Sequence, residues 1–250
     1  MPAYTYTLID EISMKIYTYY EDFGFNAQLD LIELWKQSWS KNGYDAVVLG
    51  KKDVETHGFY DHFCKVIKNI HKSIIGKEIS NYGLSCFVRW LAYSNLNRHD
   101  RFYVSDYDII NKNYPVIYPI DRLHLMDGHC PCIASGNSDD FTKLCHMFIN
   151  VTLNNLEKIK IKTTGPHYHD QEFFSYNNQT LQQEKKLYIT RSRPTIGEFY
   201  KYEDSHPDTK IFHVAHRNVS SMRKKKPELF DLSQSDDLAR LEMVKSIINE

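Results

Sequence analysis

The sequence predicts an α/β protein: a mixed, mainly parallel sheet flanked by helices, followed by a C-terminal helical extension. Three observations lead there. Residues 14–50 alternate strand, helix and strand patterns. Two amphipathic helical stripes then precede a short aromatic and β-branched run at 102–104. The last quarter of the chain carries a basic run and a final helical pattern. A strand–helix–strand unit favours parallel pairing with a right-handed crossover.

Residues 14–20 form the first strand candidate. Asn26 can cap a helix in which Leu31, Ile32, Trp35 and Trp39 recur at helical spacing. Asn42-Gly43 stops it, and 46–50 is the second strand. Phe59, Phe63, Val66, Ile67, Ile70 and Ile74 make a further helical stripe, as do Leu84, Phe87, Val88, Leu91 and Ala92. Arg89 lies between stripe positions of that second helix; taken alone, it is a solvated helix arginine. Strands are expected at 116–118, 132–135 and 187–190, and a last one at 210–217 that ends in histidine. Asn137-Ser138-Asp139-Asp140 opens a helix with ordinary capping chemistry. Leu238, Leu241, Val244 and Ile248 mark the final helix. No repeat or linker divides the chain, so one domain over 1–250 is expected, with parts 14–110, 111–217 and 218–250.

Composition narrows the function. The 250 residues are 42% hydrophobic and 14% aromatic, enough for one sizeable core. Thirty-one basic residues against thirty-two acidic give a net charge of −1, so no nucleic-acid partner is expected. No apolar run reaches transmembrane length, and the N-terminus lacks a basic-then-apolar signal. A soluble, cytoplasmic protein is the expectation. Of five cysteines, Cys64, Cys86 and Cys145 fall in helical apolar patterns and act as small hydrophobes. His129-Cys130-Pro131-Cys132 hints at zinc, but two cysteines flanking one proline make a poor tetrahedral pair.

The chemistry concentrates in Ser105-Asp106-Tyr107-Asp108, where the 102–104 strand ends. If strand alternation continues, both aspartates project to the same side. Two such carboxylates repel unless a cation lies between them, and Mg²⁺ or Mn²⁺ suits oxygen ligands and phosphates. A solvated acidic turn is the plain alternative. Tyr19, Tyr20 and Glu21 follow the first strand, at the carboxyl edge where α/β sheets bind ligands.

The order of these pieces resembles a nucleotide-sugar-dependent glycosyltransferase of the GT-A fold. The resemblance rests on 16–50, Arg89-Trp90-Leu91-Ala92, 102–108, 132–148, His169-Asp170-Gln171-Glu172 and 211–216. It is one of layout: Asn97-Arg98-His99-Asp100 stands where related sugar transferases carry Gly-Gly. The resemblance implies a mixed GT-A-like sheet, Mn²⁺ or Mg²⁺, and transfer from a nucleoside-diphosphate sugar, UDP-sugar favoured, to a glycan or other hydroxyl acceptor. It implies Asp106 and Asp108 as metal ligands, Asp106 also reaching ribose, with a late histidine completing the shell. His213 and His216 are the candidates, His216 preferred because it ends the expected strand. Tyr19, Tyr20, Glu21, Arg89 and Arg217 would bind the donor, and the 223–226 basic run is a further candidate for the diphosphate. Asp170 is the candidate general base or acceptor-orienting carboxylate, with Glu172 second, the plain alternative being a helix N-terminus that favours acidic residues; His167 and His169 are acceptor contacts or surface residues. Two other functions fit paired aspartates. A nucleotidyltransferase is one, although Glu21-Asp22-Phe23-Gly24-Phe25 is no glycine-rich phosphate loop. A non-catalytic carbohydrate-binding or scaffold protein on the same fold is the other.

Overall fold

A computed structural model describes residues 13–24, 28–126, 131–184, 187–189, 196–198 and 209–249. In chain order the strands are β1 (Met14–Tyr19), β2 (Tyr44–Leu49), β3 (Phe102–Ser105), β4 (Ile109–Asn111), β5 (His124–Leu125), β6 (Ile133–Gly136), β7 (Tyr188–Ile189), β8 (Ile196–Glu198) and β9 (Ile211–His213). The helices are α1 (Gln28–Lys41), α2 (Tyr60–Ile75), α3 (Asn81–Ser94), α4 (Ser138–Asn154), α5 (Leu156–Lys162), α6 (Asp170–Gln183), α7 (His216–Lys225) and α8 (Asp236–Asn249).

The main sheet runs β2-β1-β3-β6-β5-β7. The pairs β2–β1, β1–β3 and β5–β7 are parallel, whereas β6 runs antiparallel to both β3 and β5. A second sheet, β4-β9-β8, lies beyond the β3 end. Helices cover both faces, and strand alternation divides the core accordingly. Tyr17, Tyr19, Phe102 and Val104 pack with α2, α3, α4 and α6. Met14, Ile16 and Tyr103 face the other way, onto α1, the β4–β9 pair, α7 and α8. The C-terminal helices are therefore part of the second core layer, with Val219, Met222, Leu241 and Val244 buried in it.

Local chemistry accounts for the boundaries. Gly76, at φ 78°, ends α2 in the left-handed conformation that glycine adopts without strain. Ser80 caps α3 by accepting from Gly83 N, and Asn137 caps α4 through Asp140 N. The expected strand at 116–118 does not form. Val116, Ile117 and Tyr118 are 40%, 44% and 75% exposed, between Pro115 and Pro119, which lack the N–H that a ladder needs. The expected 210–217 strand is also shorter: β9 stops at His213, and α7 begins at His216. Asn26, His129, Cys130 and Thr190 lie outside the described residues. Among the described residues, no helix is long and apolar enough to cross a membrane.

Candidate metal centre

The acidic segment joins the two sheets. β3 belongs to the main sheet and β4 to the second, and Asp106-Tyr107-Asp108 makes the turn between them. Ile109 N donates to Asp106 O at 3.1 Å, which closes a four-residue turn. Strand alternation therefore does not bring the aspartates together; the turn does. Both ends of the segment are held by α1. Trp35 Nε1 donates to Ser105 Oγ at 2.9 Å, and Trp39 Nε1 donates to Ile109 O at 3.0 Å. Both indoles are fully buried, so their N–H groups need such partners. Asp106 N adds a bond to Cys132 O at 2.8 Å.

β9 pairs antiparallel with β4 and sets Ile109 opposite His213. This register brings a ligand atom of His213 together with one each from Asp106 and Asp108, all within 4.8 Å of one another. The Asp106, Asp108 and His213 side chains keep 26%, 15% and 12% of their surface accessible. His216, the histidine preferred from the sequence, is elsewhere. It stands in the first turn of α7, 56% exposed, with Nε2 3.5 Å from Asp237 Oδ1. Arg217 follows it, exposed on the same turn.

Two arginines flank the carboxylates. Arg89 Nη1 bonds Asp106 Oδ1, while its Nε and Nη2 donate to Asp170 Oδ2 at 3.1 and 2.7 Å. Trp90 Nε1 donates to the same Asp170 oxygen at 2.7 Å. On the other side, Arg240 Nη2 donates to Asp108 Oδ2 at 2.6 Å and its Nε to Val214 O at 2.5 Å. Three carboxylates thus face two guanidiniums, with His213 3.6 Å from Asp108 and His169 3.7 Å from Asp170. Burial opposes the charge on Arg89, but Asp106 and Asp170 outweigh it and hold its pKa above the ordinary arginine value. Burial likewise pushes the Asp108 carboxyl up, yet His213 and Arg240 bring it well below the usual carboxylate range.

A divalent ion fits this donor set. Two carboxylates and an imidazole are the hard-to-intermediate ligands that Mn²⁺ and Mg²⁺ sites accept. Asp108 Oδ1 is buried without a hydrogen-bond partner and lies 3.6 Å from His213 Nε2, beyond hydrogen-bond length. A buried carboxylate oxygen that makes no hydrogen bond is costly, and a cation shared with His213 would satisfy it.

The cluster opens into a cleft of about 90 Å³ at the carboxyl ends of β1 and β3, bordered by Tyr20, Gln28, Tyr82, Arg89, Asp106 and Asp108. Glu21, Phe23 and Ser85 border both this cleft and a larger one of about 640 Å³ between α2 and α3. Tyr20 is half-buried, its ring edge-on to Tyr107 at 5.8 Å. Tyr19 is 7% exposed in the core, its hydroxyl bonded to Glu21, and burial raises its pKa. It borders the same cleft.

No protein-family model matches the chain, and no curated protein does. Among solved structures, the chain is similar to one described as the crystal structure of a glycosyltransferase involved in the glycosylation of the major capsid of PBCV-1. That likeness covers 92% of this chain and 98% of the other, at a TM-score of 0.45 and 12% identity. This degree of likeness carries no residue-by-residue correspondence.

The α6 carboxylates take roles other than those expected of them. Asp170 is on the Asp106 side of the molecule, joined to it through Arg89, but its side chain is 3% exposed. With three donors on Oδ2, it serves as the counter-ion of Arg89 and is closed to an acceptor hydroxyl. Glu172 accepts from His169 N at 3.0 Å and lies 2.9 Å from His169 Nδ1. Burial would raise the Glu172 pKa, but His169 brings it below the ordinary value. Burial would lower the His169 pKa, yet the Glu172 hydrogen bond and the Asp170 and Glu172 charges raise it. His167 stacks near His169, ring centroids 6.4 Å apart. Arg223, from the basic run, is committed to Asp236 and to Gln234 O. Arg240 was not singled out in the sequence at all.

Proposed function

We propose that this protein is a divalent-metal-dependent glycosyltransferase of GT-A type, moving a sugar from a nucleoside-diphosphate sugar, UDP-sugar favoured, to a hydroxyl on a glycan. The observation that carries this reading is the Asp106–Asp108–His213 cluster, whose two aspartates border a cleft on the carboxyl edge of the parallel strands. Asp106, Asp108 and His213 would hold Mn²⁺ or Mg²⁺. The bound ion supplies charge neutralisation for the departing diphosphate. Arg89 fixes Asp106 and adds positive charge beside the cleft.

Size apportions the donor. A cleft of about 90 Å³ is too small for a nucleotide sugar, whereas small-molecule sites run to about 300–1,000 Å³. The adjoining space of about 640 Å³ would take the rest of the donor, with Glu21 and Phe23 at the junction and Lys51, Lys65 and Lys68 on its wall beside Asp22, Asp61 and Glu78. Tyr20, which borders the smaller cleft, would meet the base there.

The test is release of nucleoside diphosphate from a panel of nucleotide sugars with Mn²⁺, with and without a glycan acceptor. Nucleoside diphosphate should appear, stop in excess EDTA, and be lost in Asp108→Ala with the fold intact. Pyrophosphate as the product would instead mark a nucleotidyltransferase. No product from any donor, or release undiminished by EDTA, overturns the reading.

A further inference from the structure

The Asp108 carboxylate and His213 are held in register by a residue from the far end of the chain. Arg240 lies on α8 with 5% of its surface exposed, 132 residues from Asp108. Its contacts close a ring. Val214 N donates to Asp108 O at 2.9 Å, Arg240 Nε donates to Val214 O at 2.5 Å, and Arg240 Nη2 donates to Asp108 Oδ2 at 2.6 Å. Val214 directly follows His213, so the ring spans the turn that carries one ligand and the strand end that carries another. The guanidinium also sits 5.9 Å over the ring of Tyr107, the residue between the two aspartates.

We propose that Arg240 is a positioning residue that sets the geometry of the metal centre, so that α8 is a working part of the site. The inference rests on the metal reading above. By occupying Oδ2, Arg240 commits Asp108 to bind an ion through Oδ1, the oxygen that is buried without a hydrogen-bond partner. By holding Val214 O, it fixes where β9 ends and hence where His213 stands relative to that oxygen. The planar fork makes both bonds at once, which a lysine ammonium on a flexible stem does not reproduce. Partners of metal ligands of this kind typically change metal affinity ten- to a hundredfold when replaced.

A plain ion pair that only docks α8 would behave differently, and the chain contains one for comparison. Arg223 on α7 ties down the start of α8 through Asp236 and through Gln234 O at 2.6 Å, without touching a ligand. The experiment titrates Mn²⁺ into the full chain with UDP present, following the free aquo ion by electron paramagnetic resonance, alongside melting temperatures without metal. Arg240→Gln and Arg240→Lys should both weaken Mn²⁺ binding about ten- to a hundredfold. Arg223→Gln should lower the melting temperature and leave Mn²⁺ affinity unchanged. Arg240→Lys keeps the charge against Asp108, so it decides the matter if Arg240→Gln fails to fold. Mn²⁺ affinity within about threefold of wild type in a folded Arg240 variant overturns the proposal and leaves the metal reading standing. Absence of Mn²⁺ binding by the wild-type chain overturns both.

Discussion

Replacing Arg89 by methionine tests the charge chain that runs from Asp170 to Asp106. Methionine retains much of the arginine stem, so packing against Trp90, over which the guanidinium lies at 5.0 Å, is largely kept. What is lost is the arginine bonded to Asp170, a carboxylate that is 3% exposed and would keep Trp90 Nε1 and, at 3.7 Å, His169 Nδ1. Breaking a buried ion pair by removing one partner costs about 3–5 kcal/mol, because the remaining charge stays uncompensated. Asp106 adds less, since its side chain is 26% exposed and water can replace the lost donor. A loss of about 4 kcal/mol in a chain of this length lowers the melting temperature by roughly 8–16 °C. Asp170→Asn in the same background removes the orphaned charge and keeps an acceptor for Trp90. The double variant should therefore recover about 2 kcal/mol of the loss. Thermal denaturation of wild type, both single variants and the double, at neutral pH without metal, completes the cycle. A single Arg89→Met variant melting within about 2 °C of wild type, or a double variant no more stable than it, would refute the buried-charge account.

Three further outcomes are expected. His213→Ala should weaken Mn²⁺ binding at least about tenfold, while His216→Ala leaves it unchanged, measured by the free-ion resonance signal. Tyr20→Ala should raise the donor KM more than it lowers kcat, with up to about 1–3 kcal/mol of stacking lost; Tyr19→Phe should instead affect stability, by about 1 kcal/mol, through its bond to Glu21. His169 has its pKa raised above 6.5, so its contribution to stability is complete below that value and lost as pH rises through the raised pKa. The melting-temperature advantage of wild type over His169→Asn should therefore be full below the ordinary histidine value and shrink as pH rises above it.

What could be read from the sequence was what local periodicity encodes. The strand–helix–strand opening, the stripes of α2 and α3 and the run into Asp106 each follow from side-chain spacing over ten to twenty residues. Trp35 and Trp39 were legible as core positions. That their N–H groups grip Ser105 and Ile109 was not, because it depends on α1 crossing beneath a turn seventy residues later. Strand alternation predicts that the aspartates share a side, but a turn, not alternation, brings them together. The choice between His213 and His216 turned on where β9 stops. A strand of the expected length would have put His216 at its end; the helix that begins there carries it into solvent.

Arg240 shows why the rest was out of reach, and which signal was present all the same. The stripe drawn from sequence ran through Leu238, Leu241, Val244 and Ile248. In the structure Leu238 is 48% exposed, and the buried face of α8 includes Arg240, Val244 and Ile247, a spacing of four and then three residues. An arginine on the apolar stripe of a helix is an anomaly with a definite consequence. A charge that is 5% exposed requires a buried partner; Asp236 and Asp237 lie one turn before it on α8, but they sit with Arg223 and His216, and Arg240 takes its partner from another element. Periodicity can flag such a residue but cannot name its carboxylate, since nothing local connects residue 240 to residue 108. The partner it takes is a carboxylate whose other oxygen is left without a hydrogen bond beside a histidine. If structure alone had selected that pairing, both oxygens of Asp108 would be expected to be satisfied. Oδ1 instead has only the His213 ring at 3.6 Å, an arrangement with room for a ligand as its third member.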